Sequence, residues 1–262
     1  MSPARHTVPW TFFLLVLLLS IPFYVLGAAG GRLPVLTAQP TSALMAFMPM
    51  TAALILVYRE RGADGATNLL KRVLDFNRVR SVRWVPAAVC LLPAVAILQY
   101  LALRLIGTRL LAPQFAIGGI PAFLVMYFVG AIGEELGWQG YAYPELRANH
   151  NAVIAAVLLG VFWALWHVVP FVQMGRAADW IFWHGLSIVA LRIITVWLFV
   201  NTGQSVFIAV LFHTMINLPW SVIANYGSFY DPFITFVILT LAAGAIVALW
   251  GPATLARFRY AR

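Results

Sequence analysis

Four polar groups interrupt apolar stretches of this 262-residue chain. Glu134 and Glu135 follow the apolar run Gly118–Gly133. Trp163-Ala-Leu-Trp-His167 lies in a second run, Arg192 in a third, and His213-Thr-Met-Ile-Asn217 in a fourth. The chain has only eight acidic residues, and a charge at a bilayer centre costs about 2.5–3.5 kcal/mol, so such groups are functional candidates. A carboxylate can take a proton from water while an imidazole positions that water. A second imidazole and an amide can donate hydrogen bonds to a developing oxyanion. Glu134, His167, His213 and Asn217 therefore form a candidate set for hydrolysis by activated water. Glu134, His167 and His213 could instead hold a divalent metal such as zinc.

Helical geometry separates the two glutamates by about 100°. Glu134 shares the small-residue stripe Gly130, Gly133 and Gly137, where a neighbouring helix can approach closely, so it is expected to face the bundle interior. Glu135 has Gln139 at i+4, and a hydrogen bond between them is expected. Trp163 stands one turn before His167 and can pack on its ring. Arg192 is either a snorkelling side chain or the ion-pair partner of Glu135, and we favour the partner. His6, His150 and His184 lie near span ends and are read as non-catalytic.

The elements that carry these residues are read from composition. The chain is 63% hydrophobic and only 10% charged, far below the roughly 25% charged residues of a soluble domain. This predicts an all-α polytopic membrane protein. A span needs about 20 mostly apolar residues, and eight runs are of that kind: Trp10–Ala29, Thr41–Tyr58, Trp84–Ile106, Gly118–Gln139, Ala152–Val172, Ile181–Val200, Ser205–Ala224 and Pro232–Trp250. They make one domain over 1–262, with the motifs in 118–220. The first run is read as a retained helix rather than a signal peptide, being longer than the usual apolar segment of 7–15 residues.

With the N-terminus inside, twelve basic residues fall in inner segments and four in outer loops, which predicts cytoplasmic termini in a cell membrane. The net charge of +9 thus answers to the lipid bilayer, and nucleic acid is not expected as a partner. The polar loop Arg59–Arg83 contains an amphipathic stretch, Asn68–Phe76, read as a surface helix held by anionic headgroups or as a docking site for a substrate tail. The single cysteine, Cys90, forms no internal disulfide.

One tension concerns depth. Span four is expected to end at Gln139, which places Glu134 near its inner end, whereas His167 lies about 24 Å into span five. The two can meet only if span five begins later than Ala152. Pro144 is therefore expected to break the helix, with Tyr143–Val153 forming helix or turn outside the lipid.

Glu134-Glu135-Leu-Gly-Trp-Gln139, Trp163-Ala-Leu-Trp-His167 and His213-Thr-Met-Ile-Asn217, on successive spans, resemble the CPBP intramembrane proteases. That group includes the CAAX prenyl endopeptidases and the abortive-infection, bacteriocin-processing relatives. The resemblance implies that Glu134 and His167 activate water, that His213 and Asn217 form an oxyanion hole, and that Glu135 orients its neighbours. It implies a site open to the cytoplasm, a peptide or membrane-protein substrate, and a mechanism that is either metal-dependent or glutamate-dependent. Gln139 stands where the family motif has arginine, and Trp163 where it has phenylalanine. Two other readings remain: a non-catalytic relative serving as a membrane immunity or binding protein, and a proton-coupled transporter, against which no inverted repeat is found.

Overall fold

A computed structural model describes residues 9–32 and 40–256. Among them the fold is all-α, with two isolated β-bridges and no strand. Helix α1 spans Trp10–Ala28. A 3-10 segment, Thr41–Phe47, leads into α2 at Met48–Lys71, and a second, Arg72–Arg78, follows it. Then come α3 at Trp84–Leu105, α4 at Ile120–Gly137, a π-helical turn at Trp138–Ala142, and α5 at Tyr143–Arg147. The remainder is α6 at Ala152–Trp166, α7 at Val168–Gln173, α8 at Ala178–Asn201, α9 at Val206–Asn217, α10 at Pro219–Val222 and α11 at Pro232–Trp250.

Seven helical runs among the described residues are long and apolar enough to cross a membrane. The expected span Ser205–Ala224 is shorter than a full crossing: α9 ends at Asn217, and Pro219 starts the four-residue α10. The apolar helical run Val206–Val222, 17 residues, covers about 25 Å of a hydrocarbon core about 30 Å thick. His6 and the terminal arginines Arg5, Arg257, Arg259 and Arg262 lie outside the described residues.

Local chemistry sets several helix starts. Side chains of Asn151, Ser205 and Asp231 accept from the backbone N–H groups of Ile154, Ile208 and Ile234, satisfying donors that a helix N-terminus leaves free. Apolar faces then bury against α8, the most buried of the spanning helices, which lies against both α6 and α11. Gly160 brings α6 and α8 close: a Cβ there would stand 3.0 Å from Val189 Cα and 3.1 Å from Arg192 Cβ.

Helix α1 is tied into the same bundle. Trp166 Nε1 donates to Ser20 Oγ at 2.8 Å, and Tyr24 Oη donates to the Trp166 carbonyl at 2.8 Å. Phe12 is buried against Trp138.

Span four departs from expectation. It does not end at Gln139: the π turn joins α4 to α5, and helical structure runs to Arg147. Pro144 does not break it, because it sits in the first turn of α5, where a missing N–H costs least. Span five begins at Ala152, not later. The depth tension resolves from the other side. Glu134 stands thirteen residues before Arg147 and His167 fifteen after Ala152, about 20 and about 22 Å along two antiparallel helices.

The loop after α2 is also more than a surface helix. Leu74 and Phe76 are exposed, whereas Asp75 is buried. Asp75 accepts from Ser205 Oγ at 2.8 Å and from the backbone N–H groups of Val206 and Phe207 at 3.2 and 3.1 Å. A carboxylate is thus seated on the positive N-terminus of α9, the helix that carries His213. Arg72 and Arg78 flank it at 3.7 and 3.6 Å. Arg72 also donates to the carbonyls of Gly140 and Gln204, tying the π turn to the start of α9.

Candidate active site

Small residues position the glutamates. A Cβ on Gly133 would come within 2.6 Å of the Ala46 carbonyl oxygen, and one on Gly137 within 2.4 Å of the Pro49 carbonyl carbon. The start of α2 therefore rests directly on α4. Gly130, the third member of the stripe, faces open space. Both glutamates are buried.

Glu134 is held by two indoles. Its Oε2 accepts from Trp163 Nε1 at 2.7 Å and from Trp138 Nε1 at 3.1 Å. Oε1 makes no hydrogen bond within the described residues; His213 Nε2 stands 3.9 Å away, beyond hydrogen-bond range. One oxygen is fixed and the other is left with its lone pairs.

Glu135 takes its partners from distant helices. Arg192 Nη1 donates to both carboxylate oxygens at 3.0 and 2.8 Å, and His213 Nδ1 donates to Oε1 at 2.8 Å. Arg192 is fully buried, with its guanidinium carbon 4.1 Å from the Trp163 ring centroid, a geometry that adds cation–π attraction.

The expected Glu135–Gln139 bond is absent. Gln139 is fully buried, and neither amide atom has a hydrogen-bond partner among the described residues. The helix widens to π pitch from Trp138, so α-helical i,i+4 register is not kept at 139. The stronger charge-assisted bond from Arg192 occupies Glu135 instead. The i,i+4 contact that does form joins Glu134 to Trp138, whose role the sequence reading missed.

His167 follows the last residue of α6 and is half-buried. Its Nδ1 lies 2.9 Å from the Trp163 carbonyl oxygen. A carbonyl only accepts, so Nδ1 carries the proton, and Nε2 of the neutral ring is left with a lone pair. Phe171 stacks on the ring, and Trp163 and Trp166 meet it edge-on. Trp163 also lies edge-on to His213, with centroids 5.2 Å apart. Trp163 thus touches Glu134, His167, Arg192 and His213. Asn217, four residues after His213 on α9, is half-buried.

No three His, Cys, Asp or Glu side chains come together as a metal-ligand cluster among the described residues. Glu134, His167 and His213 are not drawn together as such a group.

The stretch that carries these residues is similar to known proteins. Residues 115–219 match the family described as type II CAAX prenyl endopeptidase, Rce1-like. That stretch holds Glu134, Glu135, His167, Arg192, His213 and Asn217. Over that stretch the chain is similar to the CAAX-type endopeptidases. The chain is also 28% identical over 215 residues to a protein named CAAX prenyl protease 2 from Methanococcus maripaludis, covering 76% of this chain and 77% of the relative. The likeness is to a protease family, and the seven long apolar helices are those of an integral membrane protein.

Proposed function

We propose that the chain hydrolyses a peptide bond of a membrane-associated substrate with water activated by Glu134. The observation that carries this is the asymmetry of the carboxylate: two indole N–H groups fix Oε2 while Oε1 is free to accept a proton. His167 Nε2 positions the attacking water. As water adds to the carbonyl carbon, its proton passes to Glu134 and the carbonyl oxygen becomes an oxyanion. His213 Nε2–H and Asn217 Nδ2–H donate to that oxyanion. When the C–N bond breaks, the proton held by Glu134 passes to the leaving amine.

His213 gives its Nδ1–H to Glu135, so donation from Nε2 requires the imidazolium. Glu135 and Arg192 are positioning residues. Arg192 supplies from α8 the countercharge that the family motif carries where Gln139 stands, which supports catalytic competence over the binding-protein reading. The bundle is oriented with its termini in the cytoplasm of a cell membrane.

The test is cleavage of a library of membrane peptides, farnesylated CAAX peptides included, by the purified chain in nanodiscs. Cleavage by the wild type that is lost in both Glu134→Ala and His167→Ala supports the assignment. Cleavage that survives in either variant contradicts it. A wild type that cuts no peptide, with cellular function kept by both variants, selects the binding role.

A further inference from the structure

The arginine-rich end of the bundle contains a cavity of about 610 Å³, separate from the catalytic cluster. It lies between the end of α2, the segment Arg72–Arg78 and the π turn. Four cations line it, Arg61, Lys71, Arg72 and Arg78, against two acids, Asp75 and Glu145. Asp75 is already committed to the N-terminus of α9 and to its flanking arginines. Outside the lining, Glu60 pairs with Arg61 at 4.0 Å and accepts from Tyr141 Oη. The cavity is left with a cationic excess. Arg72 Nε is buried without a hydrogen bond and faces Asp75 Oδ2 at 3.7 Å.

The walls are not uniformly polar. Val57 and Leu69 contribute apolar surface, and Leu74, 77% exposed, stands at the same cavity. α2 leaves its apolar stretch at Tyr58 and meets charge at Arg59, Glu60 and Arg61, the sequence signature of the headgroup boundary. A cationic cavity edged by exposed leucine at that boundary matches a ligand with an anionic head and an apolar tail.

We propose that this cavity binds the phosphate of an anionic phospholipid headgroup, with its acyl chains along Leu74 and α2. Arg61, Lys71 and Arg78 meet the phosphate. Arg72 joins the cavity to the Gly140 and Gln204 carbonyls, so an occupied cavity braces the end of α4 that carries the glutamates and the start of α9, the helix that carries His213.

The experiment titrates the purified full chain in neutral detergent with dioctanoyl phosphatidylglycerol, dioctanoyl phosphatidylcholine or inorganic phosphate, following bound lipid by native mass spectrometry and stability by thermal unfolding. Phosphatidylglycerol binds and raises the transition, while phosphatidylcholine with the same chains binds at least ten-fold more weakly. Each basic residue near an anionic surface contributes about five-fold, so Arg61→Gln with Lys71→Gln weakens phosphatidylglycerol binding about 25-fold. Both side chains are exposed, and the lipid-free transition of this variant stays at the wild-type position, which separates lost binding from lost folding. Equal affinity for the two lipids, or a double variant that binds as the wild type does, overturns the proposal. Displacement of phosphatidylglycerol by an equal concentration of inorganic phosphate overturns the lipid assignment and makes the occupant a free anion.

Discussion

Breaking the buried Glu135–Arg192 pair tests whether Arg192 is the countercharge of the site. Both side chains are essentially without solvent exposure, and the shorter of their two contacts is 2.8 Å. Removing one partner of such a pair strands a charge and costs about 3–5 kcal/mol, whereas replacing both by apolar groups of similar volume is often neutral. Arg192→Met leaves Glu135 with only His213 Nδ1 as donor. Glu135→Leu leaves Arg192 over the Trp163 face with no anion at hydrogen-bond distance, since its Nε and Nη2 already lack partners. Each single variant is expected to lose about 3–5 kcal/mol, and the double variant at least about 2 kcal/mol less than the sum of the two. Unfolding in mixed detergent micelles, followed by helical circular dichroism, gives all four corners of the cycle. Additive losses within about 0.5 kcal/mol, or a single variant as stable as the wild type, refute the reasoning.

Further predictions rest on single contacts. Trp163→Phe keeps an aromatic ring between the histidines but removes the 2.7 Å bond to Glu134 Oε2; cleavage rate is expected to fall about 10–100-fold for a stability loss of about 1–2 kcal/mol, and an unchanged rate discounts the indole N–H. Gln139→Leu removes a buried amide with no hydrogen-bond partner and is expected to be neutral or to stabilise by up to about 2 kcal/mol in the same unfolding assay; a loss above about 1 kcal/mol shows that the amide has a partner. Gly137→Ala drives a methyl into the Pro49 carbonyl and is expected to cost about 1–3 kcal/mol and to reduce cleavage, whereas Gly130→Ala, facing open space, changes neither.

The spans were legible because lipid imposes a single requirement, a long apolar helix with its backbone bonds satisfied internally. The end of span four was not. Trp138–Arg147 contains Gln139, Glu145 and Pro144, which read as a terminus, and a π turn has no simple sequence signature. The Gly133–Gly137 face marked a close approach by some neighbouring helix, since a missing side chain leaves room for one, but that the neighbour is α2 came only with the fold. Partners near in sequence were easy to list but harder to rank: Gln139 and Trp138 are i+4 from Glu135 and Glu134, and only the second pair bonds. Arg192 stood out as a candidate because an isolated cation in an apolar run must find a partner, yet the 57-residue separation left its choice open until the fold was in hand. Asp75 was overlooked. The signal was there, since the one acid among the basic residues of Lys71–Arg83 has arginines at i−3 and i+3. Its destination on the N-terminus of α9 is 130 residues away.

The central claim is that Glu134 accepts the proton of the attacking water. Glu134→Gln is the cleanest test, because the amide oxygen can still accept from Trp138 and Trp163 while the group can no longer act as a base. The measurement is the single-turnover cleavage rate of the best library peptide in nanodiscs, wild type against Glu134→Gln, with the unfolding transition confirming an intact fold. The account predicts a fall of about 10²–10⁴-fold at unchanged stability. A Glu134→Gln variant that cleaves within a few-fold of the wild type contradicts it.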